Sequence, residues 1–129
     1  MPMDRIAAKP SIAIYINPHS GQERKLRELR AGMEEEGIPY TVAAGEGDAP
    51  ALAYQGALSS QLGVGVGLGP DAVCVHFQKL PPEQPLFVVK DDTLSALRVV
   101  GYNAARLVKG TPFKSQDVLI EPEAMLPDM

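Results

Sequence analysis

Between Leu62 and Gly69 the chain puts glycine at positions 63, 65, 67 and 69 and an apolar residue at each position between them, Val64, Val66 and Leu68. A period of two is the signature of an extended strand, because successive side chains point to opposite faces. One face of this strand is apolar and the other is bare backbone, and glycine in a strand often marks the close approach of a helix or of another chain. The same glycines do not form a nucleotide loop. A dinucleotide fingerprint follows a strand, with its third glycine three residues after the second and opening a helix, whereas these are spaced by two inside the strand.

The flanking segments fit layers around such a strand. Ser11 to Asn17 is a continuously apolar, β-branched run bounded by Pro10 and Pro18, as expected of a buried central strand. Ser20 and Glu23 form a capping box, Leu26, Leu29 and Met33 recur at helical spacing, and Gly37 stands as the stop, which predicts a helix from about Gln22 to Glu36. Pro39 to Ala44 reads as a second strand, and Asp48 caps an alanine-rich helix through Ser59. Ala72 to Gln78 and Leu86 to Val89 read as further strands, joined by the rigid segment Leu80-Pro81-Pro82-Glu83-Gln84-Pro85. A last helix opens at Asp91 and Asp92, carries Leu94, Leu97, Gly101, Ala104 and Val108 on one face, and ends with Arg106 and Lys109 before Gly110 and Pro112. The order predicts a three-layer α/β/α single domain with a small mixed, partly parallel sheet, over residues 11–113. Residues 1–10 read as an N-terminal extension and 114–129 as a loosely ordered tail.

At 129 residues and 45% hydrophobic content the chain has the size of one ordinary domain. Its net charge of −4, with acids interleaved among the bases, argues against nucleic acid as a partner. No apolar stretch reaches the roughly 20 residues of a membrane span, the N-terminus lacks a signal-like apolar core, and the single cysteine, Cys74, excludes an internal disulfide. The expectation is a cytoplasmic protein.

Few residues offer chemistry. No Gly-Lys-Ser/Thr phosphate loop is present, so ATP hydrolysis is not expected of this chain alone. Cys74 and His76 share one strand face, but the only other histidine is His19, and a packed pair or an exposed histidine accounts for them better than a metal. Ser20 beside His19 lacks an orienting acid and already serves as a cap. The remaining candidate is Glu34-Glu35-Glu36, at the end of a helix whose dipole is already negative there. Exposed carboxylates in a last turn cost about 0.3–1 kcal/mol each, so the triplet requires solvent, a cation or a partner. It reads either as a solvated face or as part of an oxygen-ligand site for Mg²⁺ or Ca²⁺, completed by a second protein.

Five blocks in order carry a resemblance: Gly-Met-Glu-Glu-Glu-Gly-Ile-Pro at 32–39, Leu-Ser-Ser-Gln-Leu-Gly-Val-Gly-Val at 58–66, Val-His-Phe-Gln-Lys-Leu-Pro at 75–81, Pro-Leu-Phe at 85–87, and Asn-Ala-Ala-Arg-Leu-Val-Lys-Gly-Thr-Pro-Phe at 103–113. From about Ile12 to Phe113 the sequence resembles the small subunit of diol and glycerol dehydratase reactivating factors. The resemblance implies a non-catalytic subunit of a chaperone-like complex that rescues adenosylcobalamin-dependent dehydratases. A large partner subunit binds and hydrolyses ATP, the two assemble two-plus-two, and the small subunit exchanges with the dehydratase medium subunit so that damaged cobalamin leaves. It further implies that Glu35, more than its neighbours Glu34 and Glu36, reaches a Mg²⁺ ion shared with the large subunit, and its setting includes association with a bacterial microcompartment. Two other readings stand beside it: a medium subunit of an adenosylcobalamin-dependent dehydratase, and a free-standing flavodoxin-like small-molecule binding domain, against which the missing phosphate loop counts.

Overall fold

The computed structural model describes residues 10–18, 23–90 and 93–110. In chain order the elements are β1 (Ile12–Ile16), α1 (Glu23–Glu36), β2 (Tyr40–Ala44), α2 (Ala49–Ser59), β3 (Val64–Leu68), β4 (Val73–Phe77), β5 (Phe87–Val89) and α3 (Leu94–Lys109). They form one five-stranded sheet in the order β2-β1-β3-β4-β5. The β1 strand runs parallel to both β2 and β3, whereas β4 is antiparallel to β3 and β5. The sheet is therefore mixed, as expected, and the crossover helices α1 and α2 join its parallel part.

The alternation in β3 divides the layers. Val64, Val66 and Leu68 join Ile12, Ile14, Val75, Leu29, Met33, Leu97 and Val100 in the main core, on the side covered by α1 and α3. On the opposite side the glycines admit α2. A Cβ added at Gly65 would run into the Ala53 carbonyl oxygen and the Ala57 amide nitrogen, and one at Gly67 into the Ala49 carbonyl oxygen. The bare strand face is thus the seat of a helix of the same chain. Asp48 caps that helix, its side chain accepting from the Ala51 amide at 3.1 Å, with Pro50 in the first turn.

Helices α1 and α3 pack side by side and run in the same direction, touching through two glycines. A Cβ at Gly32 would meet the Arg98 carbonyl oxygen and Tyr102 amide nitrogen, and one at Gly101 would meet the Leu29 carbonyl oxygen. The cap of α3 is Thr93, whose hydroxyl accepts from the Ala96 amide at 3.2 Å; Asp91 and Asp92, expected to open the helix, lie outside the described residues. The buried face of α3 is also broader than its spacing predicts, adding Ala96, Val99, Val100, Asn103 and Ala105, while Leu94 is 38% exposed at the edge. The Ser20 cap, His19, Gln22, the terminus 1–9 and the tail 114–129 likewise fall outside the described residues. Among those described, no helix is long and apolar enough to cross a membrane.

Candidate interface at the acidic tip of the first helix

Helix α1 stops where the sequence places its glycine. Gly37 takes φ +77°, its amide donates to the Glu34 carbonyl at 3.1 Å, and the Ile38 amide donates to the Met33 carbonyl at 3.2 Å. This pair of reversed bonds satisfies two carbonyls that the helix leaves over and turns the chain into β2.

Three consecutive carboxylates about 100° apart around a helix cannot converge. Glu34 turns toward β2, where Oε2 accepts from the Tyr40 hydroxyl at 2.5 Å, and that hydroxyl accepts from Arg30 Nε at 3.3 Å. Glu35 faces α3: Oε1 accepts from the Tyr102 hydroxyl at 2.6 Å and Oε2 from Arg98 Nη1 at 3.1 Å. Glu36 lies deeper along α3, accepting from Arg106 Nε at 2.9 Å and Lys109 Nζ at 2.8 Å. Lys109 Nζ also donates to the Glu36 main-chain carbonyl at 3.1 Å, and Arg98 holds Glu28 at 2.8 Å with its other nitrogens.

The charge that α1 places badly is thus offset by its neighbour. Because the helices run parallel, their negative ends lie together, and Arg106 and Lys109 in the last turn of α3 serve both. The Lys109 hydrogen bond, ahead of an opposing burial effect and the Arg106 contribution, holds the Glu36 carboxyl below its ordinary 4.5. Acceptance by Glu35 raises the Tyr102 hydroxyl above its ordinary value, and acceptance by Glu34 does the same for Tyr40. The three acids differ in availability. The Glu36 side chain is 11% exposed and doubly bound, while that of Glu35 is 52% exposed and its pair with Arg98 is open to solvent.

Among the described residues no three His, Cys, Asp or Glu side chains gather to hold a metal. Glu35 can offer a shared cation one carboxylate, each oxygen of which already accepts one hydrogen bond, so the other ligands would have to come from elsewhere. Spacing alone did not single out Arg98, Tyr102, Arg106 and Lys109 as the partners of the triplet. The signal was present in their recurrence at four, four and three residues, which draws one stripe along α3.

Cys74 and His76 do share a face of β4, opposite Gly67 and Gly65. His76 is fully buried, its Nδ1 accepting from the Phe77 amide at 2.9 Å, which leaves Nε2–H to donate to the Pro82 carbonyl at 3.2 Å. With Tyr54 tilted against its ring at 5.0 Å, both nitrogens are spent on structure. Burial pushes the Cys74 thiol up to about 12, with Asp48 adding to the shift.

The family model described as dehydratase medium subunit matches residues 9–114. The diol dehydratase-reactivating factor small subunit of Klebsiella michiganensis is 41% identical over 81% of this chain and 84% of its own length. The propanediol dehydratase-reactivating factor small subunit of Salmonella typhimurium is 44% identical over 67% and 77%. A solved structure of diol dehydratase-reactivating factor complexed with ADP and Mg²⁺ contains a chain superposing with a TM-score of 0.75 at 39% identity, over 84% of this chain and 100% of that one. A chain of a glycerol dehydratase reactivase superposes at 0.80 with 33% identity, over the same shares.

Proposed function

The chain belongs to the dehydratase medium-subunit family and is homologous to the small subunits of dehydratase-reactivating factors, and from that premise we infer that it is the adaptor subunit of an ATP-dependent diol or glycerol dehydratase reactivase. It acts in the cytoplasm without catalysing a reaction itself, docked on a large subunit that binds and hydrolyses ATP in a two-plus-two assembly. By exchanging with the medium subunit of an inactivated dehydratase it loosens that enzyme and lets damaged cobalamin leave. Such exchange is competition for one surface, with the nucleotide state of the large subunit biasing which complex prevails. The observation that carries this reading is likeness over most of the chain, in sequence and in fold, to proteins bearing the reactivating-factor name rather than that of a dehydratase subunit. The absence of a phosphate loop from the sequence agrees with it.

Within that role Glu35 is the contact with a Mg²⁺ shared with the large subunit. Its half-open carboxylate, fixed at one oxygen by the Tyr102 hydroxyl, supports the assignment, while the less exposed and doubly bound Glu36 serves the fold. The ion would add positive charge beside the exposed Glu35 carboxylate. Two measurements test these statements. With large subunit and inactivated dehydratase, the chain is expected to promote cobalamin release only when ATP is present; tight direct binding of cobalamin by this chain within a dehydratase complex would refute the adaptor role. Glu35→Ala should fold normally yet bind the large subunit about tenfold or more weakly in calorimetry with Mg²⁺, and unchanged affinity would remove Glu35 from the contact.

A further inference from the structure

Strand β2 ends the sheet on one side, and among the described residues no strand pairs with its outer edge. The in-register parallel pairing with β1, with the Ile12 amide donating to the Pro39 carbonyl and the Gly45 amide to the Ile16 carbonyl, directs the main-chain groups of Thr41 and Ala43 inward. Tyr40, Val42 and Ala44 therefore point their N–H and C=O groups away from the sheet. Thr41 to Ala44 are all exposed, and Val42 is 42% exposed despite being apolar. Proteins commonly guard such an edge with lysine, proline, a bulge or a covering segment. Within Tyr40–Ala44 there is no charge, no proline and no bulge.

We propose that this edge pairs with the same edge of a second copy of the chain, antiparallel about a two-fold axis at Val42, so that two sheets join into one. The edge is complementary to itself. Antiparallel strands bond through residues that exchange both N–H and C=O, and outward groups recur at every second residue, so Val42 meets Val42 of the other copy and Tyr40 meets its Ala44. All three donors and all three acceptors of each copy then find partners. The charges agree with this orientation. Arg30 stands beside Tyr40 at one end and Glu46 follows Ala44 at the other, so antiparallel pairing brings the two toward each other across the axis, with the Glu34 carboxylate linked to Arg30 through the Tyr40 hydroxyl at the same end. A five-residue edge covers far less area than a permanent dimer needs, so the association is reversible and concentration-dependent. It belongs to the free chain and is independent of the reactivase reading.

Sedimentation of the full-length chain over a range of concentrations tests the proposal. The parent is expected to pass from monomer to dimer. Val42→Pro removes an outward N–H at a position on an edge strand, where a sheet tolerates proline; it should weaken dimerisation about tenfold or more, since each lost bond pair is worth about that factor. If circular dichroism shows that variant misfolded, Val42→Lys keeps the strand and sets two like charges face to face at the axis, with the same expected loss. Leu58→Lys, a change at the exposed apolar residue on α2, should leave the dimer intact. A parent that stays monomeric to about millimolar concentration, or a dimer that well-folded Val42 variants do not weaken, would overturn the proposal. So would a monomeric parent whose Val42→Pro variant loses the large subunit, which would assign the edge to that partner.

Discussion

The glycine at position 65 gives the sharpest handle on how this fold is held together. In Gly65→Ala the new methyl group would enter the space held by the Ala53 carbonyl oxygen, the Ala57 amide nitrogen and the Gly56 carbonyl carbon. All three are main-chain atoms of one helix, so no side chain can rotate out of the way. Ordinary contact begins at 3.4 Å, so α2 has to retreat bodily by about 1 Å, and a gap of that size forfeits a quarter to a half of each dispersion contact it opens. Leu52, Ala53 and Ala57, all fully buried, lose contact together. Overpacking a core usually costs about 1–3 kcal/mol, and a rigid-body response belongs at the top of that range, near 3 kcal/mol. Against a total stability of about 5–15 kcal/mol this is a large fraction, equivalent to a fall in Tm of about 10 °C. Gly37→Ala is the comparison, because Gly37 has φ +77° and no atom within 4 Å of its added Cβ. It should lose only the left-handed backbone preference, about 1 kcal/mol. Urea unfolding of both variants decides the matter: if Gly65→Ala costs less than Gly37→Ala, close backbone packing of α2 on β3 does not hold this sheet as argued.

Glu36→Gln removes the carboxylate shared by Arg106 and Lys109 and is expected to cost about 1–2 kcal/mol at neutral pH, with partner exposure already discounted. Because the folded carboxyl lies below its unfolded 4.5, its contribution is full above that pH and fades as pH falls through the lowered value, so the gap between parent and variant in urea melts should close in acid. A gap independent of pH would show that the loss is one of packing. Cys74, fully buried with its thiol raised to about 12, should react with a disulfide reagent at neutral pH only as fast as the chain unfolds, and denaturant should release it. Rapid modification of the native protein would contradict that placement.

What the sequence disclosed depended on how far apart the interacting residues lie. The Gly65 and Gly67 spacing, the Asp48 cap and the Gly37 stop are local signals, and each appears in the structure where it was expected. For His76 the sequence leaves a packed pair and an exposed histidine open, and the structure shows the packed one, fully buried. Strand order did not follow, because period-two runs carry no record of which neighbour they join, and β4 and β5 read the same whether parallel or antiparallel. The acid triplet is legible as negative charge at the negative end of a helix. Its neutralisation by Arg98, Tyr102, Arg106 and Lys109 joins residues 63–73 positions apart, so the stripe these four draw on α3 carries no record of which acids it meets. By position Arg106 and Lys109 serve their own helix, and only the parallel packing at Gly32 and Gly101 makes them serve two.

That packing has a bearing on synthesis. Helix α1 meets the rest of the molecule mainly through α3, which is made last among the described elements. Until residues 94–110 leave the ribosome, the apolar flank of α1 with Leu29 and Met33 has no lid. At about 5–20 residues per second the nascent chain spends several seconds with its first helix unsheltered, a window in which a holding factor, or prompt delivery to a companion subunit, would matter most.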